Sequence, residues 1–123
     1  MHRFPTVVAA LVAATMLSTA AWALAAPRSF YDTVATYPPY NVHFIHDIGA
    51  FIGGLGAAAA AAFVVRRPLT VALVGNAVAA VLHAGSHIAD RHRGGFASDP
   101  WAMSLIALVL LAAAGVASRG ERA

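Results

Sequence analysis

Apolar residues fill this chain in four long stretches separated by short polar punctuation. The first stretch ends at Pro27, the second starts after Pro38-Pro39 and stops before Arg66-Arg67-Pro68, and the fourth opens behind "FASDP". They predict helices over about 4–26, 41–65, 69–90 and 100–117. A helix of ~20 residues crosses a hydrocarbon core of ~30 Å, and all four stretches reach that range. Backbone in lipid must satisfy its own hydrogen bonds, so each stretch reads as a helix. Ser98 or Asp99 is placed to cap the fourth span, with Pro100 in its first turn. The fold class that follows is all-α, an antiparallel four-helix transmembrane bundle forming a single domain over 1–123. Two connections are short, "RRP" and "RHRGGFASD"; the first, "PRSFYDTVATYPPYN", is longer and aromatic.

Composition supports the membrane setting. The chain is 60% hydrophobic and 11% charged, against about a quarter charged for soluble domains. There is no cysteine, which excludes disulfides, thiolate metal sites and cysteine nucleophiles. The formal net charge is +3, carried on arginines with no lysine. These arginines flank the apolar runs and form no patch of their own, so topology explains them better than nucleic acid does. Arg3, Arg66, Arg67, Arg119 and Arg122 fall on one side, and Arg28, Arg91 and Arg93 on the other. That bias predicts an N-in, C-in, multi-pass protein of a bacterial inner membrane. Trp22, Tyr31, Tyr37, Tyr40 and Trp101 then form an aromatic belt at the outer interface. The N-terminal run also carries Ala23-Leu24-Ala25, a pattern signal peptidase can cut, but its apolar stretch exceeds the usual signal core, which favours a retained helix.

Chemistry concentrates on the second and third spans. Asn76, His83, His87 and Asp90 fall within an arc of roughly 60° on the third. On the second, "YNVHFIHDIGAF" places His43 and Asp47 four residues apart on one face, with His46 to one side. Ala50, Gly54, Ala57 and Ala61 continue that face; small residues there allow close helix approach. Gly49 and Gly53 make a second small face suited to another helix or a partner. The two spans run antiparallel, so His43 can stand level with His87 and Asp47 with His83. Ionisable groups at membrane depth are costly and usually functional, and neutral imidazole is a common metal ligand. The expectation is a transition-metal site (zinc, iron or copper) or a b-type haem, held by His43, Asp47, His83 and His87. His46 is an alternate ligand, and Asn76, Asp90 and Asn41 stand behind the first shell.

Other readings use the same residues differently. The polar groups can form an interhelical hydrogen-bond clasp or a proton-linked site, since histidine changes charge near neutral pH. The small-residue faces suit a non-enzymatic accessory subunit that docks another membrane protein or a second copy. Asp32 and the tyrosines of the first connection can form a lid, although an interfacial belt accounts for them more simply. His2 and His92 read as loop residues. No Walker loop, G-x-S-x-G or H-E-x-x-H motif is present.

"YNVHFIHDIGAF" followed by "HAGSH" resembles a group of small actinobacterial four-helix membrane proteins, themselves loosely similar to DoxX-type proteins. The matching positions are Asn41, His43, Asp47, Gly49, His83 and His87. His46 departs from the arginine the group's pattern leads one to expect, which adds an imidazole or removes a charge partner for Asp47. The DoxX likeness implies quinone-linked redox chemistry or an accessory-subunit role.

Overall fold

The computed structural model describes residues 3–64 and 69–121. His2, Arg66-Arg67-Pro68 and Arg122 lie outside the described residues. Four long helices are present: α1 (Arg3–Ala25), α3 (Val42–Val64), α4 (Leu69–Ala89) and α5 (Asp99–Gly120). A short helix, α2 (Pro27–Thr33), lies within the first connection. All four long helices are long and apolar enough to cross a bilayer. The protein is therefore a small four-span integral membrane protein, all-α and packed antiparallel.

Lipid offers no hydrophobic drive to bring helices together, so packing of small residues decides their pairing. α1 packs chiefly on α3 and α4 chiefly on α5, while α3 and α4 touch less. The α1–α3 seam is set by glycines. A Cβ built on Gly56 would stand 2.9 Å from Met16 Cβ and 3.0 Å from the Leu17 backbone nitrogen. One on Gly49 would meet Leu24 and Ala23, and one on Gly53 would meet Ala20. The Gly49/Gly53 face, read from sequence as a possible docking surface, is thus covered by α1 of the same chain. The α4–α5 seam uses Leu73 and Ala77 against Leu110, Ala113 and Ala117, all buried.

The two helix pairs meet in one apolar core, built from Val8, Val12, Ala59, Leu73, Leu110 and their neighbours. These positions lie toward the end that holds the start of α1 and the end of α5. There the carboxylate of Glu121 also accepts the Thr70 backbone N–H at 3.2 Å. The opposite end holds Trp22, Tyr31, Tyr37, Tyr40 and Trp101 and is called here the aromatic end. Its apolar cluster has Ala23 of α1, Phe30 of α2 and Ile45 of α3 buried, with Tyr31, Ala35 and Tyr40 against them.

The first connection is more ordered than a belt or a lid. Pro27 occupies the opening turn of α2, a position where its missing N–H costs nothing. The Arg28 guanidinium bonds Asp32 at 2.9 Å one turn on and lies over the rings of Tyr31 and Tyr40. Phe30 turns inward against Trp22, edge to face at 5.5 Å. Asn41 caps α3, its side-chain oxygen accepting the His43 N–H at 3.0 Å and the Phe44 N–H at 3.4 Å.

Candidate functional site

The last turn of α4 carries His87 into a polar cluster drawn from three parts of the chain. Its Nδ1 lies 3.1 Å from the Tyr37 hydroxyl and 3.6 Å from Asp99 Oδ2. The side chains of His87 and Asp99 are 12% and 15% exposed. The Tyr37 ring stands edge-on to the His87 ring at 5.7 Å. His83, one turn below, meets the His87 imidazole edge to face at 4.6 Å. Asp99 is itself anchored, since Oδ2 accepts the Phe96 backbone N–H at 2.8 Å.

Two glycines allow these segments to close on one another. Gly95 donates its N–H to the Thr36 carbonyl at 3.2 Å and has φ of +77°, in the left-handed region that glycine adopts freely. A Cβ there would stand 2.6 Å from the Tyr37 hydroxyl and 2.9 Å from Asp99 Oδ2. Gly94, at φ of +148°, leaves room for Thr36, whose carbonyl would lie 2.7 Å from an added Cβ. The connection from α4 to α5 is therefore folded over the connection from α2 to α3 with no space for a side chain between them.

The arrangement has a definite proton chemistry. A neutral His87 with its proton on Nε2 accepts the Tyr37 O–H at Nδ1. A protonated His87 donates Nδ1–H toward the tyrosine oxygen and faces the Asp99 carboxylate as an ion pair. Proton uptake thus reverses the Tyr37–His87 hydrogen bond and switches on the attraction to Asp99. Tyr37 also feels the surroundings: burial, then the negative charges of Asp99 and Asp90, push its phenol above the ordinary value of 10.0. It stays protonated throughout the range in which imidazole titrates.

The two stripes expected to converge do not do so. His43 Nε2 pairs with Asp47 Oδ2 of its own helix at 3.5 Å, and those side chains are 79% and 50% exposed. His46 is exposed as well. Among the described residues, no group of three or more His, Asp or Glu is placed to hold a metal ion. The physical cause is the glycine seam: seating Gly49, Gly53 and Gly56 on α1 turns the His43–Asp47 face to the outside of α3.

The residues expected behind the ligands have other work. Asn76 is buried, 11 residues or about 16 Å of helix from His87. Its amide donates to the Ala72 carbonyl at 3.0 Å and to Leu55 of α3 at 3.5 Å. Asp90 pairs with Arg93 at 3.0 Å, and Asn41 is the α3 cap. Tyr37 and Asp99 were legible as a belt residue and a helix start, not as partners of His87. The signal that could have joined them is Gly94-Gly95, a pair that lets two connections touch. No family model, curated protein or solved structure matches the chain, so the resemblance to DoxX-type proteins gains no support from relatives.

Proposed function

We propose that this protein is a non-enzymatic membrane subunit whose aromatic end is closed by a proton-linked clasp formed by His87, Tyr37 and Asp99. The observation that carries this reading is the His87 Nδ1 position, within 3.1 Å of a phenol and 3.6 Å of a carboxylate. Tyr37 reaches the imidazole from the connection between α2 and α3 and Asp99 from the first residue of α5, so the Tyr37–His87 bond is the part of the clasp that crosses between the helix pairs. In the orientation favoured by the arginines, the clasp faces the outside of a bacterial inner membrane. Among the described residues no group of three or more His, Asp or Glu is placed to hold a metal ion, and no step is assigned to such a group. Nitrogen-15 spectra of the imidazoles across pH test the clasp. Tyr37→Phe and Asp99→Asn are each expected to move the His87 Nδ1 resonance and leave the His43 resonances in place. A His87 Nδ1 resonance indifferent to both substitutions overturns the reading.

The outward face of α3 favours a second reading, self-association. His43, Asp47, Ala50, Gly54, Ala57 and Ala61 alternate at spacings of four and three residues, the repeat of a left-handed helix seam. A Cβ on Gly54 would meet nothing within 4 Å, so the seam is open. Two copies related by a two-fold axis would set His43 of one beside Asp47 of the other, giving exposed polar groups partners out of lipid. The chain lacks cysteine, so Ala57→Cys reports directly: disulfide-linked dimers are expected in bilayers, and Gly54→Leu should remove them. An Ala57→Cys protein that cross-links no better than Val71→Cys on α4 excludes this seam.

A further inference from the structure

The end of α4, the connection after it and the start of α5 line a groove. It has a volume of about 510 Å³, and its lining includes Ile88, Arg91, His92, Phe96, Trp101 and Ser104. Cavities of this size hold small amphiphilic ligands. The charges around it do not balance. Arg93 is neutralised by Asp90, and Asp99 is turned inward toward His87. The Arg91 guanidinium donates to the Ile88 carbonyl at 3.4 Å, and among the described residues no carboxylate pairs with it. Beside this cation the walls are apolar and open: Trp101 is 80% exposed and Phe96 53% exposed. Trp101 sits in the first turn of a membrane span, at the level where lipid headgroups lie.

We propose that this groove binds an anionic phospholipid, with the phosphate against Arg91 and His92 and the upper acyl chain along Ile88, Phe96 and Trp101. A guanidinium donates paired hydrogen bonds to a phosphate, and basic pockets between spanning helices suit anionic headgroups. A free phosphate would satisfy Arg91 and leave the apolar wall unmatched, whereas a phospholipid engages both. The occupant is therefore the lipid.

Trp101 provides the readout. In a Trp22→Phe background it is the remaining indole of the two in the chain. The protein is placed in phosphatidylcholine bilayers containing an equal small fraction of either brominated phosphatidylglycerol or brominated phosphatidylcholine. Quenching by the anionic lipid is expected to correspond to about fivefold enrichment at the groove, the effect of one basic residue on an anionic headgroup. Arg91→Gln should lower it to the phosphatidylcholine level, and Arg93→Gln should leave it unchanged, with helical circular dichroism checking the fold of each. Equal quenching by the two lipids in the Trp22→Phe protein overturns the proposal. So does a preference that survives Arg91→Gln, or one that inorganic phosphate alone abolishes.

Discussion

A hydrogen atom on the α-carbon of Gly95 is what the clasp depends on. At φ of +77° an L side chain is strained by roughly 1–2 kcal/mol, and its Cβ would collide with the Tyr37 hydroxyl. Gly95→Ala is therefore expected to separate Tyr37 from His87 and lower the melting temperature in detergent. Gly75→Ala serves as a control on an open helix face, where a Cβ meets nothing within 4 Å. An unchanged Gly95→Ala protein would show that the two connections do not meet as described. Tyr37 makes a second prediction at this scale. Its folded-state value is raised above 10.0, so just above that pH the unfolded chain has lost the phenol proton and the folded chain keeps it. The folded state then binds more protons, and stability falls as pH rises through the raised value. As pH rises past 10.0 wild type should lose more thermal stability than Tyr37→Phe, which lacks the titrating group. Equal losses would count against the burial of this phenol.

Among the elements, α3 is the most differentiated. One face carries Gly49, Gly53 and Gly56 against α1, another carries Ala59 and Ala62 into the shared core, and a third carries His43, Asp47 and Gly54 outward. Glycines only a residue or two apart on this helix should therefore respond oppositely to the same substitution. Gly56→Ala drives a Cβ into Met16 and the Leu17 backbone, an overpacking that costs roughly 1–3 kcal/mol. Gly54→Ala meets open space, and its gain in helix propensity leaves it neutral or slightly stabilising. Unfolding in detergent distinguishes the two. Loss of stability in Gly54→Ala with none in Gly56→Ala would mean that α3 is rotated from the orientation found. The four spans themselves were plain in the sequence, because length and apolarity are local properties. The expected 4–26 and 69–90 became Arg3–Ala25 and Leu69–Ala89. Helix α2 was not foreseen, because a seven-residue helix carries too short a period to read.

At the scale of the whole molecule, three contacts among the described residues tie the two helix pairs together. The apolar core joins them at one end, Asn76 bonds across from α4 to Leu55 of α3 between the ends, and Tyr37 and Thr36 reach His87 and Gly95 at the aromatic end. Interhelical hydrogen bonds in membranes are worth ~0.6 kcal/mol on average, so each polar joint is a modest tie. Asn76→Ala removes such a bond and leaves space behind it, and the expected loss is about 1–2 kcal/mol in equilibrium unfolding. A variant as stable as wild type would show that the α3–α4 joint rests on apolar packing alone. Weak joints also suit the proposed role, since a proton on His87 can bias the aromatic end without opposing the apolar core.

Local composition was enough to establish a membrane protein of four spans with its aspartates and most of its histidines gathered near one end. Hydrophobic run length, the placement of arginines and the periodicity of histidines are all properties of neighbouring residues, and they survive without knowledge of the partner helices. Which imidazole meets which partner is a different kind of fact. It depends on how far each helix is rotated about its axis, and that rotation is set by where glycines admit another backbone. In α3 the glycines chose α1, which turned His43 and Asp47 outward. In the α4–α5 connection, Gly94 and Gly95 let a distant tyrosine and a helix-start aspartate close on His87. Spacing along one helix cannot encode those contacts, because close approach is a property of two surfaces together.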